Sequence, residues 1–308
     1  MTRDELKKLL LGPASAMPTP FNARGQVDLG VMHDMVQYWL SQGIVAGKAM
    51  IKVTSGADAP DLSERQWLSI VKAATRAAGG QAAIACGLKC KSVRHTIEDI
   101  KKATDAGVIG VQVDLPYLKF PTQDDIVRFY TQISDAVEIG IIVNNTFWFG
   151  APGISTDSIR RLADAEHVVA FKWAVPDDKQ YDDMAQFAGV FNFIDNSNQP
   201  VRCHKNGGRG YVEGTFAAYP AHGFKVWALL EQRRYDEAQA LFDSVSKPLS
   251  KVFGAFDGRY GGDRAGKAMM TLMGFPCGDP QSPTMPLSRA ELDALRAVLR
   301  SFGWPVKG

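Results

Sequence analysis

No stretch of the 308-residue chain approaches the roughly 20 consecutive apolar residues that cross a bilayer. Its opening, Met1-Thr-Arg-Asp-Glu-Leu-Lys-Lys-Leu-Leu10, mixes both charges and lacks the apolar centre of a secretion signal. Membrane insertion and export are therefore not expected, and a cytoplasmic protein is. An excess of one charge is missing as well. Thirty-five Lys+Arg against 33 Asp+Glu leave a formal net charge of +2, with no long run of either sign. Nucleic acid and anionic membrane surfaces call for a basic patch, so neither is an expected partner. Cysteine is scarce: Cys86, Cys90, Cys203 and Cys277 form no C-x-x-C pair. No second pair at zinc-site spacing follows Cys86 and Cys90, and free thiols in a reducing compartment are expected. Histidines 33, 95, 167, 204 and 222 are scattered over expected helices and strand entries. They suggest no cluster for a metal-dependent aldolase or hydrolase, and no metal or other cofactor is expected.

What is present is alternation. Eight short apolar runs read as buried parallel strands. They are Ala14–Pro18, Ala49–Val53, Ala82–Cys86, Ile109–Val113, Ile141–Val143, Val168–Phe171, Phe191–Ile194 and Gly210–Val212. Helical patterns separate them. Residues 28–42 put Leu29, Met32, Val36, Trp39 and Leu40 on one face, with Gly43 at the C-terminal cap. Ser63-Glu-Arg-Gln66 is a capping box, and Thr122 can cap the stripe Ile126, Tyr130, Ile133, Val137. Segments 92–106 and 155–165 behave alike. Such repetition without a linker predicts an α/β fold, a closed (β/α)₈ TIM barrel. An open doubly wound sheet would want a Gly-rich phosphate turn after its first strand, and residues 18–26 do not form one. The barrel is expected over 1–225. A C-terminal helical extension over 226–308 belongs to the same unit.

In such barrels the site lies at the carboxyl ends of the strands. There the sequence places Thr54, Ser55 and Gly56, then Tyr117, then Asn144 and Asn145. Lys172 and Trp173, Asp195, and Val212 with Glu213 follow. Lys172 stands between Val168–Phe171 and Trp173-Ala174, flanked by apolar residues. Burial disfavours an ammonium, and a neutral amine can attack a ketone to form an imine. A structural lysine reaching out of the strand end is the other reading of that position. Thr54-Ser-Gly56 offers two hydroxyls and open backbone N–H groups, suited to a carboxylate. The Tyr117 phenol could relay a proton, and Asn144 and Asn145 could bind substrate.

In order and spacing, these segments resemble the dihydrodipicolinate synthase / N-acetylneuraminate lyase superfamily. The likeness runs over nearly the whole chain. It is carried by Ala16-Met-Pro-Thr-Pro-Phe21 with Gly25-Gln-Val-Asp28, Thr54-Ser-Gly56, Leu115-Pro-Tyr117, Phe171-Lys172 and Gly207-Gly-Arg-Gly210. The resemblance implies a class I lyase with Lys172 as the imine-forming residue and Tyr117 as a second catalytic group. It also implies pyruvate or another 2-oxo acid as substrate, no metal, and the family's usual homo-oligomer, a dimer or tetramer. Two departures stand out. The position matching the family's strand-five tyrosine, a proton carrier, reads as Val143. After the hydroxyl pair the run is Gly56-Ala-Asp-Ala-Pro60 where the family carries Gly-Glu. Ordinary synthase or sialic acid lyase activity is not expected. The synthases' substrate-binding arginine is replaced near Phe147-Trp148. Tyr117, Phe147, Trp148, Phe149 and Trp173 would make an aromatic wall at the mouth, fitting a hydratase-aldolase with an aromatic or bulky aldehyde partner. A sugar-acid dehydratase of the same superfamily and a non-catalytic 2-oxo acid binder are the alternatives. A phosphate-sugar isomerase finds only a weak phosphate turn in Glu213-Gly-Thr215.

Overall fold

In the computed structural model, all residues are described except 57, 90, 148–151, 257, 259, 260 and 262, and the side chain of Leu118. Eight parallel strands close in chain order into one barrel. They are β1 (Gly12–Ala16), β2 (Met50–Val53), β3 (Ala83–Leu88), β4 (Gly110–Asp114), β5 (Gly140–Thr146), β6 (Val168–Ala174), β7 (Asn192–Asp195) and β8 (Gly210–Val212). β8 pairs with β1, Gly12 opposite Gly210, so no edge is left open. The expected TIM barrel is therefore the fold. The first strand begins earlier than the expected Ala14–Pro18. Pro18 and Pro20 have no N–H to give a ladder, and the strand stops at Ala16.

Strand alternation sorts side chains into two cores. Ala14, Met50, Ala83, Ala85, Ile142, Ala170 and Ile194 face inward with Leu10, and Val212 packs partly against them. Val53, Val111, Val113, Ile141, Val143, Phe171, Trp173 and Phe193 face outward against the helices. This parity decides which strand residues can reach a ligand in the barrel mouth.

The helix signals act as capping chemistry predicts. Ser63 with Gln66 and Thr122 with Asp125 form reciprocal capping boxes, and Asp28 caps helix Leu29–Ser41. Leu29, expected on a buried face, is 38% exposed on the first turn of that helix. Helix Pro220–Glu231 contains the expected division at 225/226. Helices Tyr235–Gly254, Arg264–Leu272 and Arg289–Ser301 follow. No helix among the described residues is long and apolar enough to cross a membrane.

Candidate active site

Lys172 lies on β6 with the parity of Ala170, so its side chain enters the barrel. Alternate strands contribute the four side chains of each interior layer. The registers put Lys52 of β2, Gln112 of β4, Lys172 of β6 and Val212 of β8 in one such layer. Burial pushes the Lys172 ammonium down to about 8, while the carboxylates of Asp114 and Asp263 oppose that shift. A free amine is therefore accessible near neutral pH, as nucleophilic chemistry requires.

Above this layer sits Asp114, in register with Asn144, which is in register with Lys172. Asn144 Nδ2 donates to Asp114 Oδ1 at 2.6 Å, and the Thr146 hydroxyl donates to Asn144 Oδ1 at 2.8 Å. Burial raises the Asp114 carboxyl, opposed by Asn144, Lys172 and Lys52. Asn144 faces inward with Ile142, whereas Val143 is wholly buried in the outer core. A one-residue change of register exchanges the two faces of a strand. A side chain serving the site from this strand needs the parity of Asn144, so Val143, expected at the tyrosine's position, does not face the site and Asn144 does. The side chain there is an amide, and the missing phenol remains missing.

The turn after β2 folds over the barrel end. Thr54 takes φ 51° and its hydroxyl donates to the Gly87 carbonyl at 3.1 Å. Glycine at 87 permits this: a Cβ there would lie 2.3 Å from the Thr54 carbonyl oxygen and 2.7 Å from Ser55 Cα. The Ser55 hydroxyl oxygen is buried and has no hydrogen-bond partner among the described residues. It is thus available to a ligand carboxylate, whereas the Thr54 hydroxyl already donates within the protein. Gly56 packs against the Asp263 carboxylate, which a Cβ would meet at 2.6 Å. Asp263 Oδ2 also accepts the Asp58 N–H at 3.0 Å.

Other expected site residues fall elsewhere. Trp173 has outward parity, is fully buried, packs edge-on to Phe193 and donates Nε1–H to the Tyr181 carbonyl at 3.2 Å. It makes no part of an aromatic wall at the mouth. Asn145 also faces outward, donating to the Ala174 carbonyl at 3.4 Å and accepting the Ile154 N–H at 2.9 Å. Asp195 accepts from the Tyr181 hydroxyl at 2.7 Å and from the N–H groups of Ser197 and Gln199. These three side chains position loops rather than face the layer of Lys172. Val212 closes that layer, and Glu213 follows it at the start of helix Gly214–Ala218. Burial pushes the Glu213 carboxyl up to about 7, reinforced by Asp195. Tyr117 opens a short 3₁₀ turn just beyond β4 and is partly buried. Trp148 and Phe149 lie outside the described residues, and Phe147 is 40% exposed.

Lys52, Gln112, Asp114 and Asp263 were not singled out by sequence. A signal for the first two existed: polar residues at inward parity inside apolar strand runs, and Asp114 directly follows one of these runs. Nothing in sequence pointed to Asp263, which reaches the mouth from the C-terminal helices. Among the described residues no group of three or more His, Cys, Asp or Glu side chains could hold a metal ion.

The sequence pattern of the dihydrodipicolinate synthetase family matches residues 10–302. The chain belongs to this family. The expected resemblance is met, and with it the assignment to that family's class of lyases. A 4-hydroxy-tetrahydrodipicolinate synthase of Thermotoga sp. (strain RQ2) is 25% identical over 300 residues, covering 95% of this chain and 98% of its own. That of Mycolicibacterium gilvum is 26% identical, covering 93% and 92%. The crystal structure of dihydrodipicolinate synthase from Thermotoga maritima superposes with a TM-score of 0.86 at 25% identity, covering 96% and 99%. The fold also matches the Acinetobacter baumannii enzyme, solved in complex with pyruvate, at 22% identity and a TM-score of 0.83 over 96% and 99%.

Proposed function

We propose that the protein is a carbon–carbon lyase or aldolase that binds pyruvate or another 2-oxo acid as a Schiff base on Lys172. The observation that carries this reading is Lys172 itself. In a chain of this family, it is an inward-facing lysine of the barrel whose ammonium burial pushes down to about 8. Its neutral amine attacks the ketone carbon, the carbonyl oxygen leaves as water, and the imine takes up one proton from solvent. That imine draws electrons from the neighbouring carbon, so a carbon–carbon bond there can break or form. The Ser55 hydroxyl and the open turn at Gly56 suit the substrate carboxylate.

The missing strand-five phenol separates this chain from ordinary synthase chemistry. A bulky or aromatic aldehyde partner rests on Tyr117 and Phe147, with Trp173 no longer among its supports. A homo-oligomer rests on family resemblance alone.

Borohydride trapping across a panel of 2-oxo acids, with mass mapping of the modified lysine, tests the reading. The expected result is a reduced adduct on Lys172, absent in Lys172→Ala. No adduct with any 2-oxo acid, or one mapped elsewhere, overturns it. An adduct on Lys172 without turnover of any aldehyde or 4-hydroxy-2-oxo acid would favour a binding protein, for which Asn144 in place of a phenol is the motive.

A further inference from the structure

The barrel interior holds a second lysine. Lys52 is on β2, directly across the barrel from β6, and shares an interior layer with Lys172, Gln112 and Val212. Its side chain is 2% exposed. Among the described residues Lys52 forms no ion pair within 4 Å, and a fully buried lysine so placed is costly, so its retention asks for a use. One N–H bond is spent: Lys52 Nζ donates to Gln112 Oε1. Gln112 thereby holds the nitrogen in place within the layer that contains the proposed nucleophile. The inward residues of the strands flanking β2 are small and neutral, Ala14 and Ala16 on β1 and Ala83, Ala85 and Gly87 on β3, and β7 beside β6 contributes Ile194. The charged groups that face it are Lys172 from β6 and Asp114 from β4, with Asp263 acting on Lys172 from the mouth.

We propose that Lys52 is the proton carrier of this site, standing in for the phenol that β5 does not supply. The inference rests on imine formation at Lys172. In bond cleavage the Lys52 amine takes the proton of the substrate's C4 hydroxyl. The C3–C4 bond then breaks, its electron pair enters the enamine, and the aldehyde leaves. The Lys52 ammonium so formed returns the proton to C3, regenerating the imine, which water hydrolyses to the 2-oxo acid and free Lys172. No oxidant or further co-reactant is needed. The electrostatics agree with this geometry. Burial pushes the Lys52 ammonium well below the ordinary lysine range, and the positive charge of Lys172 pushes it further. Both effects favour the amine, which has a free lone pair, over the ammonium. Asp114 opposes the shift, and it stabilises the ammonium once a proton arrives.

Exchange of the C3 protons of pyruvate in D₂O, followed by proton NMR, reads this step without knowledge of the aldehyde. Borohydride trapping of pyruvate on the same samples reads imine formation separately. Wild type is expected to give the adduct and the exchange. Lys52→Met and Lys52→Arg, neither able to accept a proton, are expected to keep the Lys172 adduct. Their exchange is expected to fall about 100-fold or more, the scale of general acid–base catalysis. A folding defect in one variant, seen by circular dichroism, leaves the other to decide, and Arg keeps a donor for Gln112. An adduct with undiminished exchange in a folded variant overturns the role of Lys52. So does a wild-type adduct without exchange, or adduct and exchange lost in equal proportion in a folded variant. No adduct in wild type overturns instead the imine reading on which it stands.

Discussion

Asp58 Oδ2 and Lys267 Nζ lie 3.0 Å apart, with side chains only 4% and 2% exposed. The pair ties the turn after β2 to helix Arg264–Leu272, 209 positions along the chain from Asp58 to Lys267. Lys267 Nζ also donates to the Thr19 carbonyl beyond β1 and stands 4.4 Å from the centre of the Phe21 ring. The C-terminal helices thus brace two loops of the barrel mouth from outside. Breaking a buried pair strands a charge, whereas removing both partners does not. Lys267→Met is expected to cost about 3–5 kcal/mol in urea unfolding, and the double variant with Asp58→Leu distinctly less than the two single losses added. Additive losses would show that the two side chains do not act as a pair.

The Asp263 carboxylate acts on two groups with predictable sign. It favours the ammonium of Lys172 and disfavours ionisation of Asp58, whose carboxyl burial and Asp263 together push up to about 6 against the pull of Lys267. Asp263→Asn keeps an acceptor for the Asp58 N–H and tolerates the left-handed backbone there, φ 61°. Without the charge, Lys172 is expected to titrate below about 8, so the pH midpoint for cyanoborohydride trapping moves to the acid side. An unmoved or alkaline midpoint would mean that Asp263 does not reach the Lys172 charge.

The architecture was legible because each level of the sequence agreed with the others. Ile142 and Ala170 mark the inner face, Val111 and Phe171 the outer one, and Ser63 and Thr122 announce their helices through short-range capping. Lys172 was legible because an apolar-flanked lysine in a strand run violates the pattern. By the same measure Lys52 was as visible in Met50–Val53. The helix Arg3–Leu9 was also missed, though Thr2 and Glu5 form a reciprocal capping box and Arg3 donates to the carbonyls of Ala163, Ala165 and Val168. Register hid the rest. Whether Val143 or Asn144 faces the site depends on a single residue of offset, and only strand pairing fixes it. Trp173, Asn145 and Asp195 sit at strand ends as expected, but with the parity that sends them toward the helices. Asp263 was illegible for another reason, since its approach to Gly56 is a contact between segments far apart in sequence.

Glycine at 87 is required by the close approach of the Thr54–Ser55 turn. Gly87→Ala would put a methyl group 2.3 Å from the Thr54 carbonyl oxygen, which is backbone and cannot swing aside. The turn must lift away from the barrel end. The expected stability loss is about 1–3 kcal/mol by thermal or chemical unfolding. Ser55 moves with that turn, so 2-oxo acid binding should weaken while the reactivity of Lys172 toward small carbonyl reagents persists. Unchanged stability together with unchanged pyruvate trapping would show that the turn does not depend on this approach.

Glu213 offers a test of burial at the end of β8 that needs no substrate. Its carboxyl is pushed from an ordinary 4.5 up to about 7 by burial, reinforced by Asp195. A raised folded-state value means that the folded chain holds this proton more tightly than the unfolded chain. The resulting stabilisation is complete below the unfolded value and is lost as pH rises through about 7. Glutamine cannot ionise, so Glu213→Gln removes this loss. Against wild type, the urea midpoint of the variant should therefore improve on going from about pH 5 to about pH 8. The improvement should be confined to that window, because both states of wild-type Glu213 are ionised above it. A constant difference between the two proteins over the same range would show that Glu213 is solvated like an ordinary surface carboxylate.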